Sequence, residues 1–574
     1  MIIKRKSAKA LAVLAGAGLL LTACTTGDST EPSATSSSGP RPITFTWGYE
    51  QEFTGYNLLT ADQYSSANAV VMNQVLRGFY YFAPDGTITP DKDFGTYEKT
   101  ADSPLTVKYT FNPKAAWSDG NPVDCDDAVL AWFSHAGVTP EKTGFTPEGT
   151  TGYNQMNKPE CKDGDKTFTT TFKTPFADWA ALFGNFLPAH ILEKQSGVTD
   201  IIAAADNPTG ADALKAAKFY NTGWLTKPGE LKPELMPSAG AYMLSKWQPK
   251  QSMTLVANPK WWGTQPKANT IVIRYLGGDQ MAQALQNGEI NAMDPQPQVE
   301  LVNQLKALGD KINFSTEDQF TYEHYDFNFG GAFKDKRLRE AFAKCLPRQQ
   351  IIDNLIKPQN PDGKILESRF IFPFQDEYSQ FETGVGGEKY NTVDIPGAKA
   401  LLAAAGKNGQ TVRIGWRKDP ENLNQRRADT LALVKASCEQ AGFKIVDSGT
   451  PDFFDKQWPA GNWDVDMFAW IGSPTVTGSN DIFKTGGGQN PGKYSNKEVD
   501  GLLDKLATTL DRTEQVSILK QIDSALWTDL ATIPLFAHPG IVATTSNAEG
   551  VVYNATQQEL SWNSWEWNLK STAG

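Results

Sequence analysis

The sequence predicts an α/β fold with more than one domain. Strand-like and helix-like segments alternate with short turns after residue 42, capping residues recur where helical periodicity begins, and 574 residues at 40% apolar content can fill several cores. Taken in order, Ile43 to Trp47 is a short β-prone run. Leu105 to Phe111 places Leu105, Val107, Tyr109 and Phe111 on one face, the period-two pattern of a half-buried strand. Asp279 is positioned to cap a helix carrying Met281, Ala284 and Leu285 that Gly288 stops, and Asp394 with Pro396 just inside opens another that ends at Gly406. Asn496 precedes a helix with Val499, Leu502, Leu503 and Leu506 on one face. Asp511 and Glu514 match a capping box for the next helix, which runs into a strand at Ile533 to Phe536.

Charge and hydropathy narrow the class. The balance of 54 Lys+Arg against 65 Asp+Glu gives −11, without a basic run beyond the extreme N-terminus, so nucleic acid is not an expected partner. After residue 24 no apolar run reaches the length of about 18 that a spanning helix needs. Lys4, Arg5, Lys6 and Lys9 precede an apolar stretch from Ala10 to Leu21, then Leu21-Thr22-Ala23-Cys24. That is a secretory signal over residues 1–23 whose end resembles a bacterial lipobox, with Cys24 as the lipidated residue; removing it takes the net charge from −11 to −15. Residues 24–42 read as the lipidated cysteine and a flexible tether, because Thr25 to Pro42 holds almost nothing that can pack. The expected location is extracytoplasmic, on the cell membrane.

Catalytic and metal motifs are absent. The four histidines, His135, His190, His324 and His538, have no metal-ligand spacing, and there is no G-x-S-x-G elbow. Pieces of the penicillin-binding triplet, Ser517-Ile518-Leu519-Lys520, Ser66-Ala67-Asn68 and Lys484-Thr485-Gly486, occur in the wrong order. Gly486-Gly487-Gly488 lacks the phosphate-cradle pattern and reads as a flexible rim. No enzyme activity, cofactor or metal is expected. Four cysteines besides Cys24 remain, Cys125, Cys161, Cys345 and Cys438; an even number in an exported chain suggests disulfides, in any of three connectivities.

Several segments in the same order resemble the extracytoplasmic solute-binding proteins of peptide-type ABC importers, family 5. Leu105 to Phe133 resembles the family's strand, Trp-Ser-Asp-Gly turn and helix, with Trp117, Ser118, Asp119 and Gly120 matching in type. Ser238 to Gly263 is similar to its Gly-x-Tyr strand followed by Asn-Pro-x-Tyr/Trp-Trp, Ala284 to Met293 to a helix end, Tyr325 to Asn354 to a strand and Arg-rich helix, and Trp463 to Trp470 to a late Trp-containing strand. The resemblance implies a two-lobed periplasmic-binding-protein-like fold, of the large class with an extra subdomain in lobe I, that closes at a hinge. Lobe I is then 43–320 plus 536–574 and lobe II 321–535, with crossings near Thr321 to Asn328 and Ile533 to His538. Keeping each bridge within one lobe selects Cys125–Cys161 and Cys345–Cys438.

A cleft binder needs aromatic surface and a few converging polar groups. Tyr49, Glu50, Gln51, Glu52 and Phe53 follow the first strand, Trp416 and Arg417 end the strand beginning at Thr411, and Trp470 ends another; strand ends in open α/β sheets face the crevice. Peptide-binding relatives pair the peptide α-amino group with an Asp in a Trp-x-x-Asp-Tyr pattern. Here Trp470-Ile471-Gly472-Ser473-Pro474 puts Ser473 in that slot, and a hydroxyl cannot give the charge-assisted bond an ammonium needs. Asp481 is the candidate substitute, with a turn or N-cap role as the competing reading. Arg369 precedes a segment that looks like the one bearing a carboxylate-binding Arg in dipeptide binders. The expected function is a monomeric, lipid-anchored receptor that captures a small peptide and presents it to an ABC permease with its ATPase subunits. The alternative within that class is a sugar, metal chelate or haem ligand.

Overall fold

A computed structural model describes residues 42–137, 144–418 and 424–570. The expected signal, Cys24, all but Pro42 of the expected tether, and residues 571–574 lie outside the described residues. Among the described residues no helix is long and apolar enough to cross a membrane.

The organising element is a ten-stranded mixed sheet. At its centre the two longest strands, Ile312–Phe327 and Thr532–Thr545, run antiparallel to each other. On one side Val465–Ile471 pairs antiparallel with the first of them, followed by Thr411–Gly415 and Lys444–Asp447 in parallel. On the other side Ala292–Met293 pairs antiparallel with Thr532–Thr545, and Thr44–Tyr49 and Thr270–Tyr275 follow in parallel. Ser252–Ala257 and Tyr242–Gln248 complete that edge as an antiparallel hairpin.

Three apolar cores divide this sheet. Phe45, Trp47, Tyr242 and Ile271 belong to the first, and Met281, Leu285, Leu301 and Leu305 to a small second. Tyr325, Phe342, Val412, Met467 and Trp527 belong to the third. The two central strands cross between cores: Ile312, Ile541 and Ala543 pack in the small core, whereas Phe320 and Tyr322, with Ile533 to Ala537, pack in the third. The pairing slips between Asp318 and Tyr322, where three residues on one strand face His538 alone on the other. Such a bulge bends a strand locally. The change of core thus falls between Phe314 and Phe320, and again between Ala537 and Ile541, so Phe320, Phe536 and Ala537 pack with the third core.

The three-stranded sheet of Gly95–Asp102, Leu105–Phe111 and Thr167–Thr171 stands outside the large one. Leu105, Val107, Tyr109 and Phe111 are each at most 1% exposed, as their alternation requires. The Trp117-Ser118-Asp119-Gly120 motif is a turn closed by Gly120 N–H donating to the Trp117 carbonyl at 2.8 Å, with Gly120 at φ +106°, a value that favours glycine. It locks onto the next helix, Cys125–His135, because buried Trp117 donates Nε1–H to Asp127 while Asp124 and Asp127 form a reciprocal capping box. Cys125 of that helix is bonded to Cys161, and Cys345 to Cys438, with Cα separations of 6.0 and 4.9 Å.

Asp394 caps Ile395–Ala404, Asn496 caps Lys497–Thr508 and Asp511 caps Arg512–Asp529. Two details differ from expectation. The cap of helix Gly278–Gln286 is Gly277, with Asp279 inside the first turn. Glu514 does not close a capping box; its carboxylate instead meets Lys505 at 2.8 Å, a partner on the preceding helix.

Candidate functional site

The expected ligand residues separate into core, anchor and surface. Trp416 is fully buried in the third core and donates to Asp447 at 2.9 Å, so the strand end that carries it points its ring inward. Arg369 is a correction: it is 0% exposed, and its NH1 donates to Asp523 at 2.9 Å while Nε and NH2 donate to the Thr532 hydroxyl and carbonyl, each at 2.6 Å. With its guanidinium also packed over Trp527, it has no face left for a ligand carboxylate. Tyr49 and Phe53 are buried, Phe53 edge-on to Trp247, while Glu52 accepts from Trp247 Nε1 at 3.1 Å and from Lys250 N at 2.9 Å. Glu52 therefore fixes the neighbouring hairpin. Glu50, Gln51 and Arg417 are exposed, with Glu50 accepting from Gln296 N at 3.2 Å.

Trp470 is placed differently from Trp416. It is half-buried at the end of Val465–Ile471, stacked on His324 with centroids 6.1 Å apart and edge-on to Phe468 at 4.8 Å. Half-buried Phe454 and Trp458 extend this aromatic face. Beneath it His324 is completely buried, and both its ring nitrogens, Trp470 Nε1 and one oxygen of Asp326 lack hydrogen-bond partners. Asp481 lies exposed in the first turn of Asn480–Phe483 and is not its cap. Ser473 turns its hydroxyl back on its own loop, sharing a hydrogen bond with the Thr475 hydroxyl at 2.7 Å and accepting from Thr475 N at 3.1 Å.

Three groupings bring together side chains whose partners are far apart in the sequence. At the crossing, Arg427 donates to Glu323 through Nε at 2.6 Å and NH2 at 3.2 Å, and His538 Nε2 lies 2.9 Å from the same carboxylate. Burial alone would raise the Glu323 pKa, but Arg427 and His538 overrule it and hold it well below the usual carboxylate range. Burial and the nearby guanidinium of Arg426 lower His538 to about 4, so it is neutral at pH 7. Near the ends of Thr44–Tyr49 and Ala292–Met293, Tyr49 OH donates to Glu559 at 3.1 Å and Trp47 Nε1 to Asp294 at 2.7 Å. Burial pushes the Glu559 carboxyl up to about 8, with Glu50 adding to the rise, and Asp294 well above its usual value.

The third grouping lines a cavity of about 240 Å³ among Leu59, Tyr80, His135, Glu148, Tyr153 and Asn185. His135 has Nε2 2.9 Å from Glu148 and Nδ1 2.9 Å from the Ala131 carbonyl; these acceptors on both sides overcome burial and raise its pKa. Among the described residues no group of three or more His, Cys, Asp or Glu is placed to hold a metal. What the chain offers is aromatic surface, scattered polar anchors and two cores joined by shared strands, the furniture of a binding protein.

Comparison with known proteins agrees. Residues 93–490 match the family model described as bacterial extracellular solute-binding proteins, family 5. An uncharacterized lipoprotein of Mycobacterium tuberculosis is 28% identical over 536 residues, covering 90% of this chain and 91% of its own. The oligopeptide-binding protein OppA of Mycobacterium bovis is 26% identical over 508 residues, 86% of this chain and 79% of its own. Among solved structures, the periplasmic EDTA-binding protein EppA superposes with a TM-score of 0.80 at 23% identity, covering 94% of this chain and 99% of that one. The large sheet with its flanking helices is thus the two-lobed fold of these proteins. The chain belongs to the family 5 extracellular solute-binding proteins, which serve ABC importers by binding solutes without transforming them.

Proposed function

We propose that this protein is a lipid-anchored receptor that encloses a small peptide between two lobes and delivers it to an ABC permease. Lobe I comprises 43–320 plus 536–574 and lobe II 321–535, with Phe320, Phe536 and Ala537 at the boundary packing on the lobe II side, and Cys24 carries the lipid. The observation that carries the reading is the pair of strands that pass from one core to the other with a bulge at the crossing. Closure around a ligand requires contacts that are better in the closed than the open state, hence from both lobes. Trp470 and its aromatic neighbours provide the lobe II surface, and a cavity of about 240 Å³ at Glu148 and Tyr80 lies on the lobe I side. The peptide assignment is supported by the likeness to OppA along most of both chains.

A metal chelate is the second reading. Ser473 stands where a peptide amine would need a carboxylate, and the EDTA-binding protein EppA shares the fold closely. Native mass spectrometry of the purified protein, followed by calorimetry with peptide pools of graded length and with metal–EDTA, separates the two. Binding of a peptide pool is expected. A co-purified chelate and silence toward every peptide would sink the peptide assignment and leave the receptor class standing.

A further inference from the structure

One carboxylate joins the bodies that the two large cores define. Asp178 lies in the segment whose neighbours Phe176 and Leu182 pack in the first core. Its oxygens, however, serve the other body. Oδ1 accepts from Val476 N at 3.0 Å, and Oδ2 accepts from Thr477 N at 3.0 Å and from the Thr477 hydroxyl at 2.6 Å. Val476 packs against the third core, two residues beyond Pro474 in the loop that leaves Trp470. The adjacent Ala177 N–H donates to the Ala507 carbonyl at 2.9 Å, at the end of helix Lys497–Thr508, whose Val499, Leu503 and Leu506 also belong to the third core.

This contact is built to be specific. Asp178 is 6% exposed, so its charge has left water, and three donors converge on its two oxygens. Hydrogen bonds to an ionised acceptor are about twice as strong as neutral ones, and a buried carboxylate without them would be costly. The loop side is equally committed: the Val476 and Thr477 backbone N–H groups and the Thr477 hydroxyl all reach Asp178, and Ser473 hydrogen-bonds to Thr475 in the same loop. When the bodies part, Asp178 returns to water and the loop loses its support.

We infer that Asp178 is the latch of the closed state, a carboxylate supplied by lobe I that fastens the lobe II loop Ser473–Ser479 and sets how much of the ligand-free receptor is closed. The inference rests on the two-lobed reading but not on the identity of the ligand. If ligand enters through the open form and is held in the closed one, a strong latch slows entry and tightens retention, because apparent affinity scales with the fraction of protein in the competent state.

Small-angle scattering of the ligand-free mature protein tests this directly. Asp178→Ala is expected to increase the radius of gyration relative to the wild type, with the closed-to-open ratio falling about tenfold or more. Thr477→Val, which deletes one donor from the opposite side and leaves Asp178 in place, is expected to expand the protein by a smaller step. Circular dichroism of each variant reports the fold, and Thr477→Val carries the test if Asp178→Ala does not fold. Once a ligand is in hand, the Asp178→Ala protein should bind it faster and release it faster. Identical scattering for wild type and a folded variant overturns the latch, as does a wild type already fully open. A variant that binds solute normally while scattering like the wild type removes the latch alone, whereas absence of any binding by the wild type removes the receptor reading.

Discussion

Arg369 shows how far a residue's type is from its role. An arginine beside an aromatic segment reads as a ligand clamp, yet its partners Asp523 and Thr532 lie 154 and 163 positions away, and no local spacing announces them. Breaking a buried pair leaves an uncompensated charge, so Arg369→Ala is expected to destabilise the protein by about 3–5 kcal/mol in urea unfolding. A clamp would instead lower ligand affinity at nearly constant stability. The Glu323–Arg427–His538 group gives a pH signature. His538 is held near 4 in the folded protein against about 6.5 when unfolded, so between these values the unfolded chain binds the extra proton. Stability therefore rises with pH across that window, and acidification from about 6.5 to 4 costs up to about 3 kcal/mol from this residue. A urea series for wild type and His538→Gln should show the variant with a flatter profile between pH 7 and 4.

At the level of elements, much was legible because its causes are local. The strand Leu105–Phe111 follows from a period-two pattern, and the caps at Asp394, Asn496 and Asp511 follow from side chains that reach backbone N–H groups two or three residues ahead. The direction of a strand-end side chain was less legible. Trp416 and Trp470 both end strands on the same side of the large sheet, but Trp416 is sealed beneath Asp447 while Trp470 remains half open. Their alanine variants should differ in kind. Trp416→Ala is expected to cost about 3–5 kcal/mol of stability by opening a cavity, with residual binding per folded molecule unchanged. Trp470→Ala should lose ligand affinity tenfold or more, by calorimetry, with a smaller stability loss. The segments Tyr49 to Phe53 also mixed roles: a position at a strand end indicated proximity to the crevice, not which of five side chains would point into it.

For the whole molecule, the resemblance fixed the architecture better than the cleft. Fold is written in many weak matches along the chain, whereas closure contacts such as Asp178 with Thr477, 299 positions apart, depend on a single pair. The disulfides belong to the fold: Cys125 and Cys161 pack in or against the first core, and Cys345 and Cys438 in the third, so neither ties one core to the other. In the chain-entropy picture loops of 36 and 93 residues contribute about 4 and 5 kcal/mol. Reduction is expected to lower the midpoint of thermal unfolding while leaving ligand-induced compaction, measured by scattering, intact.

The interleaving of the two bodies also orders the protein's birth. Trp567 lies against Phe45 and Trp47, with ring centroids 4.9 and 5.6 Å apart, so a wall of the first core is supplied from more than 500 positions downstream. Nearly all of the third core comes from residues 320–537 and is made early, whereas the first strand must wait, its aromatic face uncovered, until the segment around Trp567 has been made. For the lipid-anchored receptor proposed above that order is an asset: the body next to its N-terminal signal would be the last to close, which leaves the leading end pliable for passage through a narrow channel.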